Sequence, residues 1–284
     1  MNPSTSPATC QTPRSVSGTA QCGHSTLADL MRMLCTDTTG IPDTQQAAEM
    51  AVSLRRVPAG ATLIHMGASS DALYFVCSGT FKIFRTDEDG YEQVLAFAGR
   101  REVLAFDALC METHPTAASA LEDSTVYVIR KVELHDFSRS VPAFEHELQR
   151  AGSRALGRTN ELAELMAAVA AEVRLARFLL LLSRRMATNG QSPRRFHLRM
   201  GRRDIASILG VAHETVSRSF TALVAARLVH VSDRDVEILD MDGLKAYSRS
   251  TRRAQDEGGL VRARRPASPL AMVQKAQSLC PLAA

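Results

Sequence analysis

RRDIASILGVAHETVSRSFT, residues Arg202 to Thr221, reads as two short helices around one tight turn. Ile205, Ile208 and Leu209 give the first helix an apolar face, and Ala206 is small where a second helix must cross close by. Gly210 stands where the chain reverses, and a residue without Cβ permits the left-handed geometry such a turn needs. Val211, Val216 and Phe220 form the apolar face of the second helix. Its opposite face is polar. Glu214, Ser217 and Arg218 stand at i, i+3 and i+4, side by side on a helix, with His213 at its start. This pattern describes the end of a recognition helix that enters the major groove. Arg218 can donate twice to guanine O6 and N7, Glu214 can accept from cytosine N4, and Ser217 can meet a base edge or a phosphate. The alternative for Glu214 and Arg218 is a plain ion pair on a solvated helix. Arg199, Arg202 and Arg203 precede the motif as candidate phosphate holders or ordinary surface cations.

Downstream, LVHVSDRDVEIL (Leu228–Leu239) alternates on either side of Asp233–Asp235 and reads as the hairpin wing of a winged helix. Upstream, RLARFLLLLSR (residues 174–184) is more uniformly apolar and reads as the first buried helix of the same unit, closed by NGQSP (Asn189–Pro193). Between Arg194 and Arg253 the chain holds 12 Lys and Arg against 7 Asp and Glu. That local surplus of five suits counterion release from a nucleic-acid backbone.

Further upstream the period changes. From Phe144 to Met186 there is no proline, and Leu148, Ala155, Leu162, Met166, Val169 and Val173 recur at three-, four- or seven-residue steps. One long helix with an apolar seam is expected; so long a helix usually pairs with another copy, and the alternative is that the seam packs on its own β-domain. From Val52 to Ile129 short alternating runs are broken at Pro58–Gly60, Gly67–Asp71, Ser78–Gly79 and Asp87–Gly90, the signature of a β-barrel or jelly roll. The fold class is therefore α+β. The expected organisation is an extension without ordered core (1–24), a β-roll sensor domain (25–142) with a first helix at Leu27–Leu34, a dimerisation helix (143–173), a winged helix-turn-helix (174–250) and a loose tail (251–284).

The order β-roll, long helix, winged helix-turn-helix resembles the CRP/FNR superfamily of bacterial transcription regulators, over roughly Leu27 to Arg253. LYFVCSGTFKIF (Leu73–Phe84) is similar to the family's β-roll signature. AFDAL (Ala105–Leu109), FLLLLSRR (Phe178–Arg185) and the helix-turn-helix itself resemble its FNR branch. The resemblance implies a homodimer that binds double-stranded DNA at a TTGAT-type inverted palindrome through Glu214, Ser217 and Arg218. It also implies contact with RNA polymerase, for which Thr86–Glu92 is a candidate, and a response to oxygen or redox state. His213 stands where the cyclic-AMP branch has a base-reading arginine, which argues against that branch's own half-site.

Two family ligands meet departures. Cyclic-nucleotide binders use a Gly-Glu pair and a following Arg-Ser/Thr; Val103–Ser119 has neither, so cyclic AMP is not expected. The iron–sulfur cluster of the FNR branch takes three N-terminal cysteines and one in the β-roll. Here Cys35 matches one, Thr26 and Asp29 fall where two others belong, and Tyr127 stands for the fourth. No metal is expected, and Cys10, Cys22, Cys35 and Cys110 are the candidates for any rearranged site. The six cysteines include no CxxC pair, and no apolar run reaches membrane length. A cytoplasmic protein with reduced thiols is expected. An enzyme is not: no Walker motif, nucleophile elbow or dinucleotide fingerprint occurs. The competing readings are a relative sensing a small ligand or a haem-bound gas, and a β-roll interaction module without DNA binding.

Overall fold

The computed structural model describes residues 22–35, 45–168 and 170–249. Val169, Cys10, Cys280 and the expected tail 251–284 lie outside the described residues. Strand β1 (Cys22–Thr26) begins inside the segment expected to lack structure, and pairs antiparallel with β2 (Ala51–Val57). Between them lie helices α1 (Leu27–Leu34) and α2 (Gln45–Glu49). Then follow β3 (Thr62–Ile64), β4 (Ala72–Ser78), β5 (Phe81–Thr86), β6 (Glu92–Ala98), β7 (Val103–Leu104), β8 (Ala117–Ala120) and β9 (Ser124–Arg130). Two antiparallel sheets result, in the orders β1-β2-β9-β4-β7 and β3-β8-β5-β6. Leu73, Phe75, Phe81 and Ile129 are fully buried between them, the roll that the alternating pattern predicts.

The turns fall at glycines. Gly79, between β4 and β5, has φ +92°, and a Cβ there would lie 2.9 Å from the Ser124 backbone Cα. Gly79→Ala therefore combines backbone strain with a clash that no side-chain rotation relieves. We expect it to lower stability by about 3 kcal/mol, read as a lower urea midpoint with m unchanged. A midpoint equal to wild type would show that the turn relaxes freely.

Helix α3 (Lys131–Ser140) closes the roll and α4 (Pro142–Met166) leaves it. Proline opens α4, where its missing N–H costs nothing. Phe144 plugs the roll, packed on Phe75 and Phe137 at 6.3 and 6.0 Å between ring centres. The expected continuous helix does not reach Val173. α4 ends at Met166, Ala170 is extended, and α5 (Ala171–Thr188) starts anew. Arg174 holds the bend: its Nε donates to the Ala168 carbonyl at 2.7 Å and its Nη1 to the Leu209 carbonyl at 2.8 Å.

The expected seam is not a single open stripe. Leu148 is buried in the roll and Ala155 is half-buried. Leu162 packs on the C-terminal core, Met166 lies beside Gly210, and Val173 is buried with Ala168 and Ala170. The reason is that the C-terminal unit folds back on the roll and uses that stripe within the chain. The exposed stripe of α4 is Gln149, Ser153, Leu156, Asn160 and Ala163, at alternating steps of four and three.

The C-terminal unit continues with β10 (Arg195–His197), α6 (Arg202–Leu209), α7 (His213–Ala225), the hairpin β11 (Val229–Ser232) and β12 (Asp235–Ile238), and α8 (Met241–Arg249). Its sheet order is β10-β12-β11. Phe178 and Leu179 of α5, Ile205, Val216, Leu223 and Val236 are among its core residues. No helix among the described residues is long and apolar enough to cross a membrane.

Candidate nucleic-acid interface

The geometry of α6 and α7 follows from their ends. The Gly201 N–H donates to the Asp204 carboxylate at 2.9 Å and opens α6. Gly210 closes it at φ +61°, and the Val211 N–H returns to the Ala206 carbonyl at 3.1 Å, a left-handed cap. Ile205, Ala206 and Leu209 of α6 meet Val216, Phe220 and Leu223 of α7, all buried. Burying that face turns the other outward: His213, Glu214, Ser217 and Arg218 are exposed together at the start of α7.

The charges on this face are not spent on each other. Glu214 has no hydrogen bond or ion pair among the described residues, and Arg218 touches the Thr215 hydroxyl at 3.5 Å. The alternative of a Glu214–Arg218 pair is therefore not what forms. An exposed acceptor and an exposed fork of donors remain one helical turn apart, able to address neighbouring base edges.

The three upstream arginines separate. Arg203 is exposed at the start of α6. Arg202 lies 3.6 Å above the Phe220 ring and donates to the Asp233 carbonyl at 3.0 Å, so it joins α6, α7 and the wing. Burial holds its pKa below the ordinary guanidinium value, and its Nη1 is buried without an acceptor among the described residues. Arg199, just after the strand that ends at His197, pairs with Glu122 of the roll at 3.1 Å, the surface-cation alternative of the expectation. Arg234, at the tip of the wing, is a member of the face that the sequence reading passed over. With Arg202, Arg203 and His213 it lines a cleft of about 450 Å³. A basic residue at a hairpin tip was the available signal.

The roll holds α6 from behind. Ser207 Oγ accepts from the Val94 N–H at 2.8 Å and donates to the Glu92 carbonyl at 2.9 Å, and Lys82 reaches Asp204 at 3.3 Å. Ser207→Ala leaves the Val94 N–H buried without an acceptor. The expected cost is about 1–3 kcal/mol, seen as a lower thermal midpoint; an unchanged midpoint would mean that β6 and α6 separate in solution.

A family model described as cyclic nucleotide-binding domain matches residues 54–140, and one described as Crp-like helix-turn-helix domain matches residues 173–247. The chain is 35% identical over 208 residues to the transcriptional regulatory protein Btr of Bordetella pertussis, covering 72% of this chain and 86% of that one. The chain belongs to the CRP/FNR family of transcription regulators. Other members are similarly close. The transcriptional activator protein Anr of Pseudomonas protegens is 32% identical, over 78% of this chain and 89% of its own. The fumarate and nitrate reduction regulatory protein of Escherichia coli is 35% identical, over 68% and 77%. The structure of FixK2 from Bradyrhizobium japonicum matches the fold with a TM-score of 0.62 at 22% identity, covering 71% of this chain and 99% of that one. The protein is a DNA-binding transcription regulator of this family, and its relatives are regulators and not enzymes.

The family's cofactors can be tested against these residues. Thr26 and Asp29 cap α1 reciprocally, each backbone N–H donating to the other's side chain at 3.0 and 3.2 Å. That backbone hydrogen bond, first among several, holds the Asp29 carboxyl below its usual range. Tyr127 is buried. Cys35 is half-buried, and burial followed by Glu147 pushes its thiol up, away from the thiolate a cluster needs. Cys110 is exposed and Cys22 lies on β1. These residues do not fit a four-thiolate cluster at the FNR positions. Nor does Val103–Ser119 fit a cyclic nucleotide: it contains no arginine, and Phe106 lies on α4 at Gly152, where a Cβ would meet its ring at 2.6 Å.

Proposed function

We propose that the protein binds a TTGAT-type inverted repeat as a homodimer, with Glu214, Ser217 and Arg218 of each copy reading one half-site. The observation that carries this is the exposed, unpaired Glu214 and Arg218 on one face of α7. Arg203, Arg234 and His213 sit against the flanking phosphates, and Arg202, stacked on Phe220 and bonded to the Asp233 carbonyl, holds the wing beside them. Two such faces one helical turn of DNA apart require a two-fold pair.

The exposed α4 stripe supplies the pairing surface. Ser153, Leu156, Asn160 and Ala163 follow the spacing of a coiled-coil seam, small residues allow close approach, and an asparagine fixes register. Leu156, 67% exposed in the single chain, is the apolar contact. Leu156→Asp should shift sedimentation from dimer to monomer and abolish binding of the palindrome while circular dichroism stays native. A dimeric variant would place the seam elsewhere.

The signal is oxygen or redox state, as membership beside Anr and the fumarate and nitrate reduction regulator supports. The output is contact with RNA polymerase through the β5–β6 turn, where Tyr91 is exposed. A gel-shift titration on a labelled TTGAT palindrome, run with and without air on protein assayed for iron and sulfide, tests the reading. Loss of binding on an equally long scrambled duplex supports sequence reading; equal binding to both refutes it.

A further inference from the structure

Where the roll, α4 and the C-terminal unit meet, they form a cavity of about 910 Å³ that is open to solvent on one side, within the size range of small-molecule sites. Eight arginines and three glutamates line it, with no lysine or aspartate. Three arginines are matched by those glutamates: Arg158 with Glu102 at 2.9 Å, Arg185 with Glu161 at 2.9 Å and Arg199 with Glu122 at 3.1 Å. The guanidinium groups of Arg100, Arg154 and Arg184, on three different segments, have no hydrogen-bond or ion-pair partner among the described residues. They stand at its rim. A concave surface with such a surplus, backed by protein, concentrates anions. Guanidinium forks match phosphate oxygens in pairs. The wall between them is apolar: Phe97, Leu182 and Phe196 are buried there.

We propose that this cavity is a binding site for a phosphorylated metabolite of the nucleotide class, with two or more negative charges and a planar or apolar body. It is separate from Val103–Ser119, the stretch that corresponds to the family's cyclic-nucleotide phosphate contacts, none of whose residues lines it. The ligand spans the sensor roll, α4 and α5, so its binding favours whichever arrangement of these parts keeps the three rim arginines together.

Calorimetry on the full chain without DNA, with inorganic pyrophosphate and ADP as probes, tests this independently of the DNA reading. Both probes should bind at one site per chain, ADP the tighter. Arg100→Gln, Arg154→Gln and Arg184→Gln together should weaken both at least about tenfold. These residues are exposed, so the unfolding midpoint should hold. Arg203→Gln, on the DNA face, should leave probe binding unchanged. Absence of binding at millimolar probe, equal binding by the triple variant, or an equal loss in Arg203→Gln would each overturn the site.

Discussion

Arg218→Ala will lower affinity for a TTGAT-type palindrome by about 1–3 kcal/mol at each half-site. Both half-sites lose the contact together, so the observed constant should fall at least about 30-fold. The effect is this large because Arg218 is not engaged elsewhere: its 3.5 Å contact with Thr215 is a weak alternative to two bonds to a guanine. Glu214→Ala supplies the opposite sign on non-specific DNA. A carboxylate near phosphates opposes binding, so its removal raises affinity for scrambled duplex while relaxing preference at the base it reads. Competition gel shifts at fixed salt separate the two. If Arg218→Ala lowered specific and scrambled binding equally, Arg218 would be a phosphate contact and the base-reading role would fall.

Phe178→Ala should cost about 3–5 kcal/mol of stability, the range for removing a buried phenylalanine. Phe178 is 1% exposed in the core of the C-terminal unit, and its ring lies 6.1 Å from that of Phe97 on β6. It therefore serves two interfaces, the unit's own core and the contact with the roll. Phe97→Ala removes the second and leaves the first. Denaturant unfolding should rank Phe178→Ala well below Phe97→Ala, and similar midpoints would show that the α5 core repacks around the lost ring.

The helix-turn-helix was legible in the sequence because its information is local. Gly210, Ala206 and the two apolar faces constrain one another within twenty residues, and the exposed face is what those constraints leave over. What the apolar stripe of α4 packs against was not legible. Leu148, Leu162 and Met166 announce an apolar stripe, but periodicity cannot tell a stripe that meets another copy from one that meets the same chain. Docking of the C-terminal unit consumed the more apolar stripe and left the small, polar one through Leu156. The break after Met166 was hidden for a related reason. Ala167, Ala168 and Ala170 carry no breaking signal, and the bend comes from Arg174, whose partners are set by tertiary packing. Arg199 likewise read as one of three equivalent cations until Glu122, distant in sequence, claimed it.

Arg174 has a consequence for how movement travels. One guanidinium grips a carbonyl at the bend between α4 and α5 and another at the end of α6, one residue before Gly210. The bend and the turn of the helix-turn-helix thus share a single pin. A shift of α5 against α4 therefore strains the hydrogen bond to the Leu209 carbonyl, so the joint and the reading helix feel each other through one side chain.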